Sequence, residues 1–179
     1  MTATVATVGF DETVRALIDA GESLDCEAFV RTLSPSVIVR SPITQRIRFE
    51  GIDQVRHLFL NVFEVVHDIK IYEHLGSGGS SQVIFWKGRV GSSYLEEANL
   101  LKLDEHGKVC EMTVFMRAVP GLLELAAQLV PRLARRKGRA RSIGTAVLLR
   151  VFAVMYRANE GPVIAMAGVG TPVAANGLR

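Results

Sequence analysis

The sequence predicts an α+β fold in which helices are segregated on one face of a largely antiparallel sheet. Three observations predict it. Residues 52–65 carry apolar side chains at helical spacing: Val55, Leu58, Phe59, Val62 and Phe63. Residues 67–117 break into four runs of alternating polarity, separated by short turns rich in Gly, Ser and Asp. Connections that short favour antiparallel neighbours. At 179 residues, 49% apolar and 22% charged, the chain has material for one core plus an extension.

The elements follow in order. Asp11 is placed to cap a first helix whose inner face holds Val14, Leu17 and Ile18. Asp25 is placed to cap a second, from about Asp25 to Leu33, with Phe29, Val30 and Leu33 as its apolar side. Ser34-Pro35-Ser36 breaks that helix. The β-branched run Val37-Ile38-Val39 is a strand, ended by Pro42, which cannot donate to a ladder. Ile47–Glu50 is a short partner strand, Gly51 punctuates, and the third helix runs from Ile52 to Val65. Four strands then cover His67–Leu75, Gln82–Val90, Tyr94–Leu103 and Lys108–Arg117. Their turns are Gly76-Ser77-Gly78-Gly79, Gly91-Ser92 and Asp104–Gly107.

Charge divides the chain. Through Met116 sixteen acids face eleven bases, whereas 117–157 hold nine Arg and Lys against one acid, Glu124. The expected organisation is a domain over 1–118, a basic apolar helical extension over 119–158 and a flexible tail over 159–179. Pro120-Gly121 marks the boundary. Leu122, Leu125, Leu129 and Leu133 form one helical stripe interrupted by Pro131, and Ile143–Tyr156 is apolar around most of its circumference. Three roles compete for the extension. It packs on the domain or on a second subunit and closes a pocket mouth, it lies on an anionic membrane through 121–157, or its arginines meet nucleic acid. The last ranks lowest, because no aromatics interleave the arginines.

Certain strings carry a resemblance. They are Phe29-Val30-Arg31-Thr32-Leu33-Ser34-Pro35, Arg40-Ser41-Pro42, Phe49-Glu50-Gly51 and Leu100 through Val109, which ends in a Gly-Lys-Val step. With the element order, they make residues 10–118 similar to the nuclear-transport-factor-2-like (SnoaL-like) superfamily. The resemblance implies a cone: a curved sheet wrapped around three helices, with a mostly apolar hollow, and a homodimer formed through the sheet. The superfamily holds ketosteroid isomerases, polyketide cyclases, epoxide hydrolases, dehydratases and non-catalytic binders, so fold does not select a reaction. The isomerase set is not present. Ser41 stands where the resemblance places the Asp base, Leu17 near the Tyr donor, and Asn99 at the Asp donor. A hydroxyl is no base at neutral pH, but an amide still donates a hydrogen bond.

Alternation supplies the candidate site. If Asn99 faces the hollow, so do Leu95, Glu97 and Leu101. The matching set on the last strand is Cys110, Met112, Val114 and Met116. A wall of Leu and Met with one carboxylate and one amide suits a small apolar ligand bearing a carbonyl or hydroxyl. Glu97 and Asn99 are the candidate catalytic pair. Ser41, Leu95, Leu101, Met112, Val114 and Met116 are the candidate ligand contacts. Glu97 has a second placement, at the rim, solvated or paired with an Arg. Trp86 shares a face with Ile84 and lines either the hollow or a dimer surface. His57, beside Arg56, is expected in solvent. His67 and Asp68 point to opposite faces.

Other chemistry is not signalled. Cys26 and Cys110 are far apart and form no CxxC, so no metal is expected and the usage fits a reducing cytoplasm. No Gly-rich fingerprint, Walker loop or nucleophile elbow occurs, so no cofactor is expected. The opening MTATVATVGFDETV lacks a basic region followed by an apolar one, and no apolar run reaches the roughly 18 residues of a spanning helix. The expected location is cytoplasmic, with membrane contact only through the extension.

Overall fold

The computed structural model describes residues 6–135 and a few positions between 143 and 166. The basic run 136–141, part of the apolar segment 143–156 and most of the 159–179 tail lie outside the described residues. The elements are α1 (Ala6–Glu22), α2 (Cys26–Arg31), β1 (Leu33–Arg40), β2 (Arg48–Glu50), α3 (Ile52–Val65), β3 (Val66–Leu75), β4 (Ser81–Val90), β5 (Ser93–Leu103), β6 (Val109–Arg117) and α4 (Val119–Ala134). Six strands make one curved, open sheet in the order β2-β1-β6-β5-β4-β3. Only β1 and β6 run parallel; the other neighbours are antiparallel.

The helices form for local reasons. Asp25 caps α2 by accepting from the Ala28 amide at 2.9 Å. Gly51 opens α3 with φ 78°, a conformation that a side chain would strain. Asp11 corrects its expected role. It lies inside α1, and its Oδ1 instead accepts from Gly78 N at 2.8 Å and Gln82 Nε2 at 3.2 Å. The carboxylate thereby ties α1 to the β3–β4 turn. The second helix also ends earlier than expected, at Arg31. Leu33 begins β1 because Leu33 pairs with Val109, and Val109 N donates to Thr32 O at 3.0 Å. Ladder bonds outweighed the helical spacing there.

The core lies between the concave face of the sheet and the helices. Val14 and Leu17 from α1, Phe29 from α2, Val55 and Leu58 from α3, and Ile84, Leu95, Leu101 and Met112 from the sheet are all buried in it. Phe29 packs on Phe59 and Phe63 with ring centroids 4.3 and 5.6 Å away. Such pairs contribute about 0.5–1.5 kcal/mol beyond their buried area. Helix α4 joins the same core through Leu125 and Leu129. Its first turn presses on β5 at Gly121, where a Cβ would lie 2.4 Å from Tyr94 O. Pro131 stands inside the helix, which continues to Ala134. Arg132 of α4 pairs with Glu64 of α3 at 3.6 Å.

Candidate functional site

The sheet's concave face bears the site because strand residues alternate. Along β5, Leu95, Glu97, Asn99 and Leu101 are buried, while Tyr94, Glu96, Ala98 and Leu100 are only partly so. The two-residue turn Gly91-Ser92 sets the β4–β5 register. Trp86 is therefore opposite Glu97, and Ile84 opposite Asn99. From the other side β6 places Met116 opposite Glu97 and Val114 opposite Asn99. Two adjacent rungs result, Trp86–Glu97–Met116 and Ile84–Asn99–Val114, and all six side chains line one cavity.

That cavity has a volume of about 550 Å³. Helix α3 gives it Leu58, Phe59, Val62 and Phe63, and α4 gives it Leu125, Leu129 and Leu133. The apolar stripe read from the sequence of α3 thus faces a hollow as well as a packed core, so Phe59, Val62 and Phe63 are only partly buried. Ser41, past the end of β1, lines the cavity, and its Oγ accepts from Ile43 N at 3.2 Å.

Glu97 is 8% exposed and Asn99 6%. The rim placement of Glu97, solvated or ion-paired, is thereby corrected. Burial pushes its carboxyl up from about 4.5 to about 8, against hydrogen bonds from Asn99 and Trp86 that favour the charged form. The acid therefore holds its proton at neutral pH. Asn99 Oδ1 is buried with no hydrogen-bond partner among the described residues. A buried amide oxygen left unpaired costs roughly 1–3 kcal/mol, which a ligand donor would recover.

Not every expected contact reaches the cavity. Leu95, Leu101 and Met112 face inward, but they pack in the core, 0–1% exposed, outside the lining. Cys110 does not face inward. Between Lys102 and Leu103 the β5–β6 register shifts, so Val109 takes the inner place. The Cys110 thiol donates to Lys102 O at 3.3 Å. An extra residue on one strand reverses the faces beyond it, and a smooth alternation cannot anticipate that. His57 was expected in solvent, yet it is half-buried and lines the cavity from α3 with Arg40 and Gln54. Asn61 Nδ2 donates to His57 O at 2.7 Å. The signal for Trp86 was available, because the Gly91-Ser92 turn already implied its register with Glu97.

Neither a protein-family model nor a curated protein matches the sequence. Solved structures do match the fold. A steroid Δ-isomerase from Pseudomonas aeruginosa superposes with a TM-score of 0.65 at 25% identity, over 72% of this chain and 93% of that one. An NTF2-like protein from Mesorhizobium loti gives 0.56 at 14% identity, over 63% and 93%. The chain has the nuclear-transport-factor-2-like fold. A further NTF2-like neighbour is an epoxide hydrolase/cyclase-like enzyme in pyran ring formation of the polyether salinomycin, at TM-score 0.51 and 18% identity, over 60% and 89%. In this chain Ser41, Leu17 and Asn99 all line the cavity. Its buried carboxyl is Glu97, one inward step along β5 from Asn99.

Proposed function

We propose that this NTF2-like chain binds a small apolar molecule bearing oxygen and acts on it as a cofactor-independent acid–base enzyme of the cyclase, isomerase or hydrolase kind. One observation carries the reading: a carboxyl buried in the wall of an apolar cavity, beside an amide whose oxygen has no partner among the described residues. Protonated Glu97 donates to a ligand oxygen. Asn99 Oδ1 accepts from a ligand hydroxyl. The cavity volume falls in the range of small-molecule sites, about 300–1,000 Å³. A pKa close to the working pH suits proton transfer, because both forms are populated.

The test uses Trp86, the sole tryptophan, whose indole stands opposite Glu97. Its fluorescence is followed while apolar ketones, phenols and alcohols are titrated in. Affinity for a carbonyl ligand should fall as pH rises through about 8 and the donor is lost. Glu97→Gln should keep binding, because an amide still donates, and should lose that pH dependence. Turnover of a substrate should drop by about 10²–10⁴. Retained turnover in a folded Glu97→Gln variant would overturn the catalytic role.

A second reading, ligand carriage without turnover, is favoured by the lining itself. Glu97 is the only carboxylate among the described residues around the cavity. In that case Glu97→Gln changes the pH profile of binding, and no turnover is found in either form.

We also propose that the chain pairs with a second copy through the outer face of the sheet. Phe85, Ala98 and Phe115 form one rung there, and Tyr72 stacks near Phe85 with centroids 6.2 Å apart. Tyr72 and Phe115 are more than half exposed.

A further inference from the structure

The mouth of the cavity has a composition of its own. Ile43 and Ile47, on the loop between β1 and β2, line the cavity yet are 50% and 51% exposed. Leu133 and Ala134, in the last turn of α4, line it as well. The exposed part of the lining is therefore that loop with Arg40 and Gln54 beside it, while Leu133 and Ala134 are half-buried. Arginines stand next to them. Arg46 and Arg48 flank Ile47, and Arg135 follows α4 directly; all three are exposed. Arg48 is paired with Glu50, whereas Arg46 and Arg135 have no ion pair among the described residues. Beyond α4 the positive sign persists: from Arg132 to Arg150 the sequence has seven Arg and Lys and no acid. Val151, Val154 and Met155 then follow at i, i+3 and i+4, helical and exposed, next to an exposed Arg150.

An apolar rim set in arginines matches one kind of surface. Isoleucine and valine have no use for a phosphodiester backbone, which wants cations and stacking rings. A bilayer of anionic lipid offers both a phosphate layer for arginine and an acyl layer for isoleucine. Among the described residues no helix is long and apolar enough to cross a membrane, so the fit is to an attachment in the plane.

We propose that the cavity mouth sits on an anionic lipid surface. Ile43, Ile47 and the Val151–Val154–Met155 stripe enter the boundary between headgroups and chains, and the arginines meet the phosphates. The mouth then opens onto the bilayer, and an apolar ligand passes from the acyl layer to the cavity without crossing water. The attachment stands independently of Glu97; the lipid phase as the ligand's source rests on the cavity reading above.

The test is sedimentation of the full chain with phosphatidylcholine vesicles, with and without phosphatidylglycerol. Attachment is expected to the anionic vesicles, at least tenfold weaker to phosphatidylcholine alone, and lost at high salt. The double variant Ile43→Glu/Ile47→Glu changes two exposed loop side chains, and its fold is checked by circular dichroism. Its attachment should fall at least tenfold. A second variant, Arg135→Glu/Arg136→Glu/Lys137→Glu, leaves the loop untouched. It should also fall at least tenfold, since each cation at an anionic surface contributes about fivefold. No attachment to anionic vesicles, unchanged attachment in either variant, or preference for a DNA or RNA duplex over vesicles at the same salt would overturn the proposal. Ligand titration followed by Trp86 is independent of these measurements, so the two readings fail separately.

Discussion

Glu97 couples the site to the stability of the whole protein. Its folded carboxyl titrates near 8, above the ordinary value near 4.5, because burial penalises the charge. Between those two values the native state holds a proton that the unfolded chain has released. The contribution of Glu97 to stability is therefore fullest below about pH 4.5, falls as pH rises, and levels off above about 8. The loss is on the order of 5 kcal/mol across that window. Glu97→Gln cannot ionise and should remove this slope. Urea unfolding of both proteins at several pH values across the window checks it; parallel pH dependences would mean that the carboxyl is solvated. Asn99 shows how far a single residue was legible. Alternation put it beside Glu97, but an unpaired Oδ1 depends on what the opposite wall does not offer, and only the packed structure supplies that.

Among the elements, α4 lies directly on the sheet at Gly121. Gly121 lets its first turn lie on β5. A methyl there would meet Tyr94 O at 2.4 Å and Leu95 Cβ at 2.7 Å. Both belong to β5, where Tyr94 pairs with Arg89 and Leu95 with Gly88 of β4, so neither can yield cheaply. Gly121→Ala should cost about 1–3 kcal/mol and displace α4 from the cavity, whose lining includes Leu125, Leu129 and Leu133. A lower melting temperature together with altered Trp86 fluorescence is the expected result; an unchanged melt would place α4 elsewhere. The elements themselves were largely readable. α3 occupies the residues its spacing indicated, and β3 to β6 begin and end within a residue of the expected limits. The misreadings have local causes. Asp11 and Leu33 fit helical logic locally, whereas a turn amide and a ladder partner far along the chain claim them. The β5–β6 shift reversed Cys110 in the same way.

For the molecule as a whole, the two faces of the sheet divide the work. The concave face carries Glu97 and Asn99, and the outer face carries exposed Phe115 and Tyr72. If the outer face pairs two copies, a charge at its centre should separate them. Phe115→Glu should convert a dimer to a monomer by light scattering while leaving ligand titration at Trp86 intact. A wild-type chain that is monomeric at high concentration would overturn the pairing. The extension also belongs to this scale. A basic segment was evident from its charges, yet α4 shares the core with the cone through Leu125 and Leu129.

Residue order alone specified the α+β class, the run of helices and strands, and the fact that Glu97 and Asn99 share a face. Those features depend on neighbours a few residues away: helical spacing, the two-residue period of a strand and the chemistry of short turns. Long-range packing set which face became hollow, that His57 lines it, and that α4 covers one side. It also decided that Leu95, Leu101 and Met112 stay behind the wall. Those outcomes follow from the curl of the sheet and from contacts between residues distant in sequence, to which local periodicity is blind.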